Sequence, residues 1–464
     1  MGQTTPEFHG RTKISRGVWR DLALLALARA AATAVIGAMG YVALSDDDFA
    51  RVTIAQQFAV APKLDPSGTS WLPFPFWLTG AAMRLLDPSL GVARVAAAVF
   101  AIGATWLVYA GARSWGLSSE RALAAALLIN VVPSAALLGS LTTPELPTAA
   151  LAVFAVLAVT APAHPTARRA VAVSAAMCAA TLSRYEAWPV AVVVAAYALA
   201  RRDATKRWRV GVALASLAGP ALWMLDNLVL HGDALSFVHR VAAYRAALGT
   251  GAPSRAGALG AIAVIIAAAI AALYALYRRG QSGTISPFVA WAGSALALGL
   301  FLLAGEVTGG APTHHAERTL LFLWLLGAVA VVIFADTPKR RVALAAAVAL
   351  FLAGDSLVQF AEPGIDRSNE ELIGTNLRSL VERGGRVYIA TKDYGYFAIA
   401  AAFGRPLDVV IDSTHDPRKK GEPSILDDRS RVLERLQAER ASWLVAPSAA
   451  FLPFALTFRT SVGD

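Results

Sequence analysis

The chain has 464 residues, 56% of them hydrophobic and 16% charged, with a mean hydropathy of +0.53. This composition excludes an ordinary soluble globular protein and makes lipid the expected solvent. The formal net charge is +10. The basic residues fall mainly in short loops between apolar runs, not in one patch or stripe, so they read as topology signals and no nucleic-acid partner is expected.

Residues 1–20 are polar and basic and are expected to form a cytoplasmic N-terminus. The apolar run that follows, 21–44, is long enough to remain as a span instead of being removed as a signal. Further apolar runs lie at 90–112, 119–140, 144–163, 170–184, 187–200, 210–230, 257–277, 286–304, 319–335 and 341–358. The reading is a polytopic α-helical membrane protein of about eleven helices over 21–360.

Alternate loops carry the basic clusters, among them Arg113 and Arg121, Arg168 and Arg169, Arg201 to Arg209, Arg278 and Arg279, and Lys339 to Arg341. An excess of Lys and Arg marks the cytoplasmic side, so the intervening loops are expected on the outer face. The first of these, 45–89, is longer than a usual connection, and Val52–Val60 and Phe74–Leu86 mix apolar with polar residues as interface-lying helices do. Prolines 62, 66, 73 and 75 interrupt it.

Beyond residue 361 the composition changes. Arg386–Thr391, Asp408–Ile411 and Ser442–Ala446 read as short strands, with Tyr394–Phe403 and Ser430–Arg440 as helices between them. A small extracytoplasmic α/β domain over 361–464 is expected. The one cysteine, Cys178, lies in an Ala-rich run, so neither a disulfide framework nor a thiolate metal site is available.

The residues that might carry chemistry gather in the outer loops. Asp46, Asp47 and Asp48 follow the first apolar run directly, as a helix cap or as reactive carboxylates. Glu145 sits between Pro144 and Pro147, and Arg184-Tyr185-Glu186 separates two short runs. His314, His315, Glu317 and Arg318 precede the tenth run. Phosphate binding by Arg318 is expected ahead of metal binding by His314, His315 and Glu317, because no second motif has ligand spacing. An outer carboxylate can take a proton from an acceptor hydroxyl, and outer cations can neutralise a phosphate leaving group.

In order and position these segments resemble membrane glycosyltransferases of the C-type fold, near the protein-mannosyltransferase and aminoarabinose-transferase group. The likeness rests on Leu44-Ser45-Asp46-Asp47-Asp48-Phe49-Ala50-Arg51, Ser70-Trp71-Leu72-Pro73-Phe74-Pro75-Phe76-Trp77-Leu78, Thr143-Pro144-Glu145-Leu146, Ser183-Arg184-Tyr185-Glu186, and the stretch from Asp226 to Phe237. A histidine frequent before the proline pair in the family is absent, and Ala234 stands where a proline is common. The likeness covers about residues 20–360.

The resemblance implies transfer of a sugar from a polyprenyl-phosphate donor to an acceptor hydroxyl on the extracytoplasmic face. Asp47 or Asp48 would be the base, with Asp46 and Glu145 in the same acidic set. Arg184 or Arg318 would hold the phosphate, with Glu186, His314 and His315 beside them. A single displacement by one base implies inversion at the anomeric carbon. Mg or Mn at the acidic run is left open, because hard cations favour carboxylate oxygens. A transporter or lipid flippase and a non-catalytic envelope scaffold are the rival readings; neither an internal repeat nor midplane charges were found to favour transport.

Overall fold

The structure is a computed structural model describing residues 16–249, 261–271, 273, 286–308, 316–335, 337–360, 363–382, 384–390, 393–412 and 429–446. Its first part is a helical bundle. α1 (Arg16–Ala38) ends at a turn in which Gly40 takes a φ of +89°. The first helix is therefore shorter than the apolar run 21–44, because a residue with positive φ cannot continue a right-handed helix. Two helices fill the long first loop, α2 (Asp46–Val60) and α3 (Phe74–Leu85). They cross closely at Gly80, where a Cβ would meet the Ala55 carbonyl oxygen at 2.8 Å.

α4 (Leu90–Trp115) is followed by α5 (Ser119–Val131) and α6 (Pro133–Leu138). The run 119–140, read as one span, is broken here: Val132 has a ψ of 117° because the ring of Pro133 disfavours the helical region for its predecessor. Next come α7 (Glu145–Thr160), α8 (Ala167–Thr181), α9 (Ala187–Ala200) and α10 (Lys206–His231). α11 (Ser236–Leu248), in a stretch read as loop, follows. α12 (Ala261–Ala271), α13 (Pro287–Thr308), α14 (Ala316–Thr319), α15 (Leu321–Phe334) and α16 (Pro338–Gln359) complete the bundle.

α7 is apolar and buried on all sides, at the centre of a core shared with α4, α5, α8, α9 and α15. Alanines dominate the α4–α7 seam, and small residues let helix backbones approach where lipid supplies no hydrophobic drive. Five of the described helices, Gly17–Ala38, Leu90–Trp115, Lys206–His231, Pro287–Val307 and Pro338–Gln359, are long and apolar enough to cross a membrane. α7, α9, α12 and α15 are shorter apolar helices.

The C-terminal part holds α17 (Ser368–Leu380), β1 (Arg386–Ile389), α18 (Tyr396–Phe403), β2 (Val409–Ile411), α19 (Arg429–Ala438) and β3 (Ala441–Val445). The strands form a parallel sheet in the order β2-β1-β3, close to the strand positions read from the sequence. This α/β unit rests on the long first loop. Ala398, Ala401 and Ala402 of α18 share a core with Phe49, Val52, Ala55 and Met83. Buried Gln56 donates to the carbonyls of Ala401 and Pro88 at 2.8 and 3.1 Å. Three guanidinium–carboxylate pairs frame the seam: Arg367 with Asp46, Arg94 with Glu371, and Arg378 with Asp87.

Candidate active site

The three consecutive aspartates point in three directions, as successive residues at the start of a helix must. Asp46 receives Nε and Nη2 of Arg367 at 2.9 and 3.0 Å, and this carboxylate, ahead of Asp393 and Glu370, raises the Arg367 pKa. Asp48 is 3% exposed and forms half of a capping box, its Oδ2 accepting from the backbone N–H of Leu44 and Ser45 at 3.0 and 3.2 Å. Burial pushes its carboxyl up to about 6 against those two hydrogen bonds. Asp47 is exposed, makes no side-chain hydrogen bond among the described residues, and lies in the field of Arg51 and Arg184.

A second corner meets the first. Thr142 donates from Oγ1 to the Asp48 carbonyl at 3.1 Å. Glu145, 3% exposed at the first residue of α7, receives Arg184 Nη1 at 2.7 Å and stands 3.7 Å from Arg318 Nη1. Arg184 also pairs with Glu186 through Nε. Burial opposes the Arg184 charge, yet Glu145 and Glu186 hold its pKa above the ordinary value. Glu145 Oε2 is buried with no hydrogen-bond partner among the described residues.

The Arg184 corner is built by the other motifs. Phe74 N–H donates to the Leu182 carbonyl at 3.0 Å, and Tyr185 OH donates to the Ser70 carbonyl at 2.6 Å. Trp223 Nε1 of α10 donates to Tyr185 OH at 3.0 Å, and Phe237 of α11 stacks on the Tyr185 ring at 4.8 Å. The stretch Asp226 to Phe237 thus braces this corner from behind.

Beside it opens a cavity of about 410 Å³. Its wall follows α4 from Ala93 to Leu107 and is almost wholly apolar, with Phe74, Phe76 and Leu78 of α3 opposite. Four of its five polar residues, Arg51, Thr142, Thr143 and Ser183, adjoin the Glu145–Arg184 corner, Thr143 two residues from Glu145 and Ser183 one residue from Arg184; the fifth, Thr79, is on α3. Arg51 is the cation that lines the cavity, its guanidinium 4.4 Å from the Trp71 ring centre. It carried no assigned role in the sequence reading, although it stands four residues after Asp47, on the same helical face.

The structure therefore brings together Asp47, Asp48, Glu145, Arg184, Glu186 and Arg318, and turns Asp46 away to the C-terminal unit. His314 and His315 lie outside the described residues. Among the described residues no group of three His, Cys, Asp or Glu side chains is arranged to hold a metal ion. Asp46 is bound to Arg367 and Asp48 to backbone N–H groups, so the three carboxylates of the acidic run do not share one point.

A family model described as dolichyl-phosphate-mannose-protein mannosyltransferase matches residues 67–225. That stretch contains three of the five motifs and nearly all of the cavity wall. The crystal structure of ArnT from Cupriavidus metallidurans bound to undecaprenyl phosphate superposes with a TM-score of 0.53, at 14% identity, over 96% of this chain and 95% of that one. The chain has the ArnT fold. The apo state of the same ArnT gives 0.49 at 16% identity over 95% and 94%. The apo oligosaccharyltransferase of Archaeoglobus fulgidus gives 0.49 at 12% over 94% and 70%. No curated protein sequence matches. The chain is a multi-helix membrane protein, as its five candidate spans and this fold require.

Proposed function

We propose that the protein transfers a sugar from a polyprenyl-phosphate donor to an acceptor hydroxyl at the extracytoplasmic face of the cell membrane, with its N-terminus cytoplasmic and its C-terminal α/β unit outside. The observation that carries this reading is the two-ended cavity. An apolar channel along α4 suits a prenyl chain, and the guanidinium of Arg51 at its polar end suits the phosphate. ArnT, whose fold the chain shares, binds undecaprenyl phosphate.

In this reading the phosphate meets Arg51 first, with Arg184 and Arg318 behind it. The acceptor oxygen attacks the anomeric carbon while the bond from that carbon to the phosphate oxygen breaks. Its proton passes to Asp47, whose carboxylate is exposed and makes no side-chain hydrogen bond among the described residues. The charge that develops on the departing polyprenyl phosphate is neutralised by the guanidinium groups, which are held in place before reaction by Glu145 and Glu186. One displacement with one base inverts the anomeric centre. Asp48 keeps the start of α2 in position through its capping bonds.

Native mass spectrometry of the purified full-length protein tests the donor class. A bound polyprenyl phosphate or polyprenyl-phosphate sugar is the expected result. Failure to retain or rebind undecaprenyl phosphate in lipid nanodiscs overturns the reading.

A further inference from the structure

α6 is six residues long, too short to sustain itself, and both of its ends are held by charged side chains from other helices. At its start the Ser134 N–H donates to Asp355 Oδ2 of α16 at 2.8 Å. At its end the carbonyls of Ala135 and Ala136 accept from Arg29 Nη1 and Nη2 of α1 at 3.0 and 2.7 Å, and Nη2 also reaches Ser140 Oγ at 2.8 Å. Arg29 is fully buried, and Asp355 is the buried residue of a helix whose remaining side chains are largely exposed.

Each charge faces the end of α6 that favours it: the carboxylate at the positive N-terminus, the guanidinium at the negative C-terminus. No ion pair joins Arg29 to Asp355 among the described residues; the two meet through α6, at the Ser134 N–H and at the Ala135 and Ala136 carbonyls. Gly139 follows α6, and a Cβ there would lie 2.9 Å from Arg29 Nη1. Within a membrane neither ion is tolerated without compensation, and a loose helix end leaves backbone groups unsatisfied.

α6 runs directly into the site. The carbonyl of Leu138, its last residue, accepts from Thr143 Oγ1 at 3.0 Å, and Thr142 reaches the Asp48 backbone. Thr142, Thr143 and Pro144 are also part of the cavity wall. We propose that Arg29 and Asp355 are positioning residues, which fix the Thr142–Glu145 corner against α2 by gripping α6 at both ends. The inference rests on the donor reading of the cavity.

The test is undecaprenyl phosphate affinity of the full-length protein in nanodiscs, read beside its melting temperature. Arg29→Gln and Asp355→Leu are each expected to weaken binding about tenfold. Asp355→Asn, which keeps an oxygen for the Ser134 N–H, is expected to bind within twofold of wild type. In a Thr142→Val background Asp355→Leu is expected to cost less than threefold more, because both act on one corner. Unchanged binding in the first two variants, or fully additive losses with Thr142→Val, overturns the proposal. Should those variants not fold, Arg29→Lys is read instead: it keeps the charge but lacks the fork that spans two carbonyls, and wild-type affinity in it is equally fatal. A wild type that does not bind undecaprenyl phosphate removes the donor reading itself, a result the variants cannot mimic.

Discussion

Two regions of the molecule are built from the same guanidinium and carboxylate groups and differ in what those groups have left to do. At the seam between the α/β unit and the first loop, Arg367, Arg94 and Arg378 each meet a carboxylate through two short bonds. At the corner beside the cavity, Arg51, Arg184 and Arg318 crowd together, and among the described residues Glu145 has one buried oxygen without a hydrogen bond and exposed Asp47 makes no side-chain hydrogen bond. Saturated pairs hold surfaces together. A charged cluster with spare bonding capacity can receive a ligand, which is why like residues give an adhesive seam in one place and a candidate active site in the other.

The largest expected effect tests the reactive side of this contrast. Asp47→Asn should lower sugar transfer by about 10²- to 10⁴-fold with the melting temperature unchanged, the range for loss of a general base. Transfer from a polyprenyl-phosphate sugar at near the wild-type rate would show that another group takes the proton. Arg184→Ala comes next. It leaves buried Glu145 with only the more distant Arg318 and removes the cation from half-buried Glu186, and should cost about 3 kcal/mol of stability, measured by denaturation in detergent.

Asp48 gives a test by pH. Its carboxyl is raised from 3.8 to about 6 by burial, so between those values the folded protein binds more protons than the unfolded chain. Stability from this group is fully present below about pH 4 and is lost as pH rises through about 6, a change on the order of 3 kcal/mol. Melting temperature should therefore fall between pH 4 and pH 7, and Asp48→Asn should flatten that slope. The smallest effect belongs to the seam. Arg378→Ala removes a pair whose carboxylate, on Asp87, is 45% exposed, and should cost no more than about 1 kcal/mol. A loss as large as that of Arg184→Ala would erase the distinction between the two regions.

The sequence by itself determined the helical bundle, the helices within the long first loop, the strands of the C-terminal unit and the motifs that form the corner. These are local signals: apolar runs of spanning length, Pro and Gly punctuation, and carboxylates or guanidinium groups at the ends of such runs. Even so, the break at Val132 and the early end of α1 show that Pro133 and Gly40 outweigh an unbroken apolar pattern. α11 was not legible, because a helix of 13 residues depends on docking, here of Phe237 on Tyr185.

Only the tertiary structure divided the work among Asp46, Asp47 and Asp48, since the partners that distinguish them, Arg367 and the Thr142 corner, are remote in the chain. It likewise set Arg51 on the cavity wall and joined Arg29 to Asp355 through α6. Residue type fixes what a charge is able to do. Which partner neutralises it, and which atom stays unbonded, depends on packing between segments hundreds of residues apart.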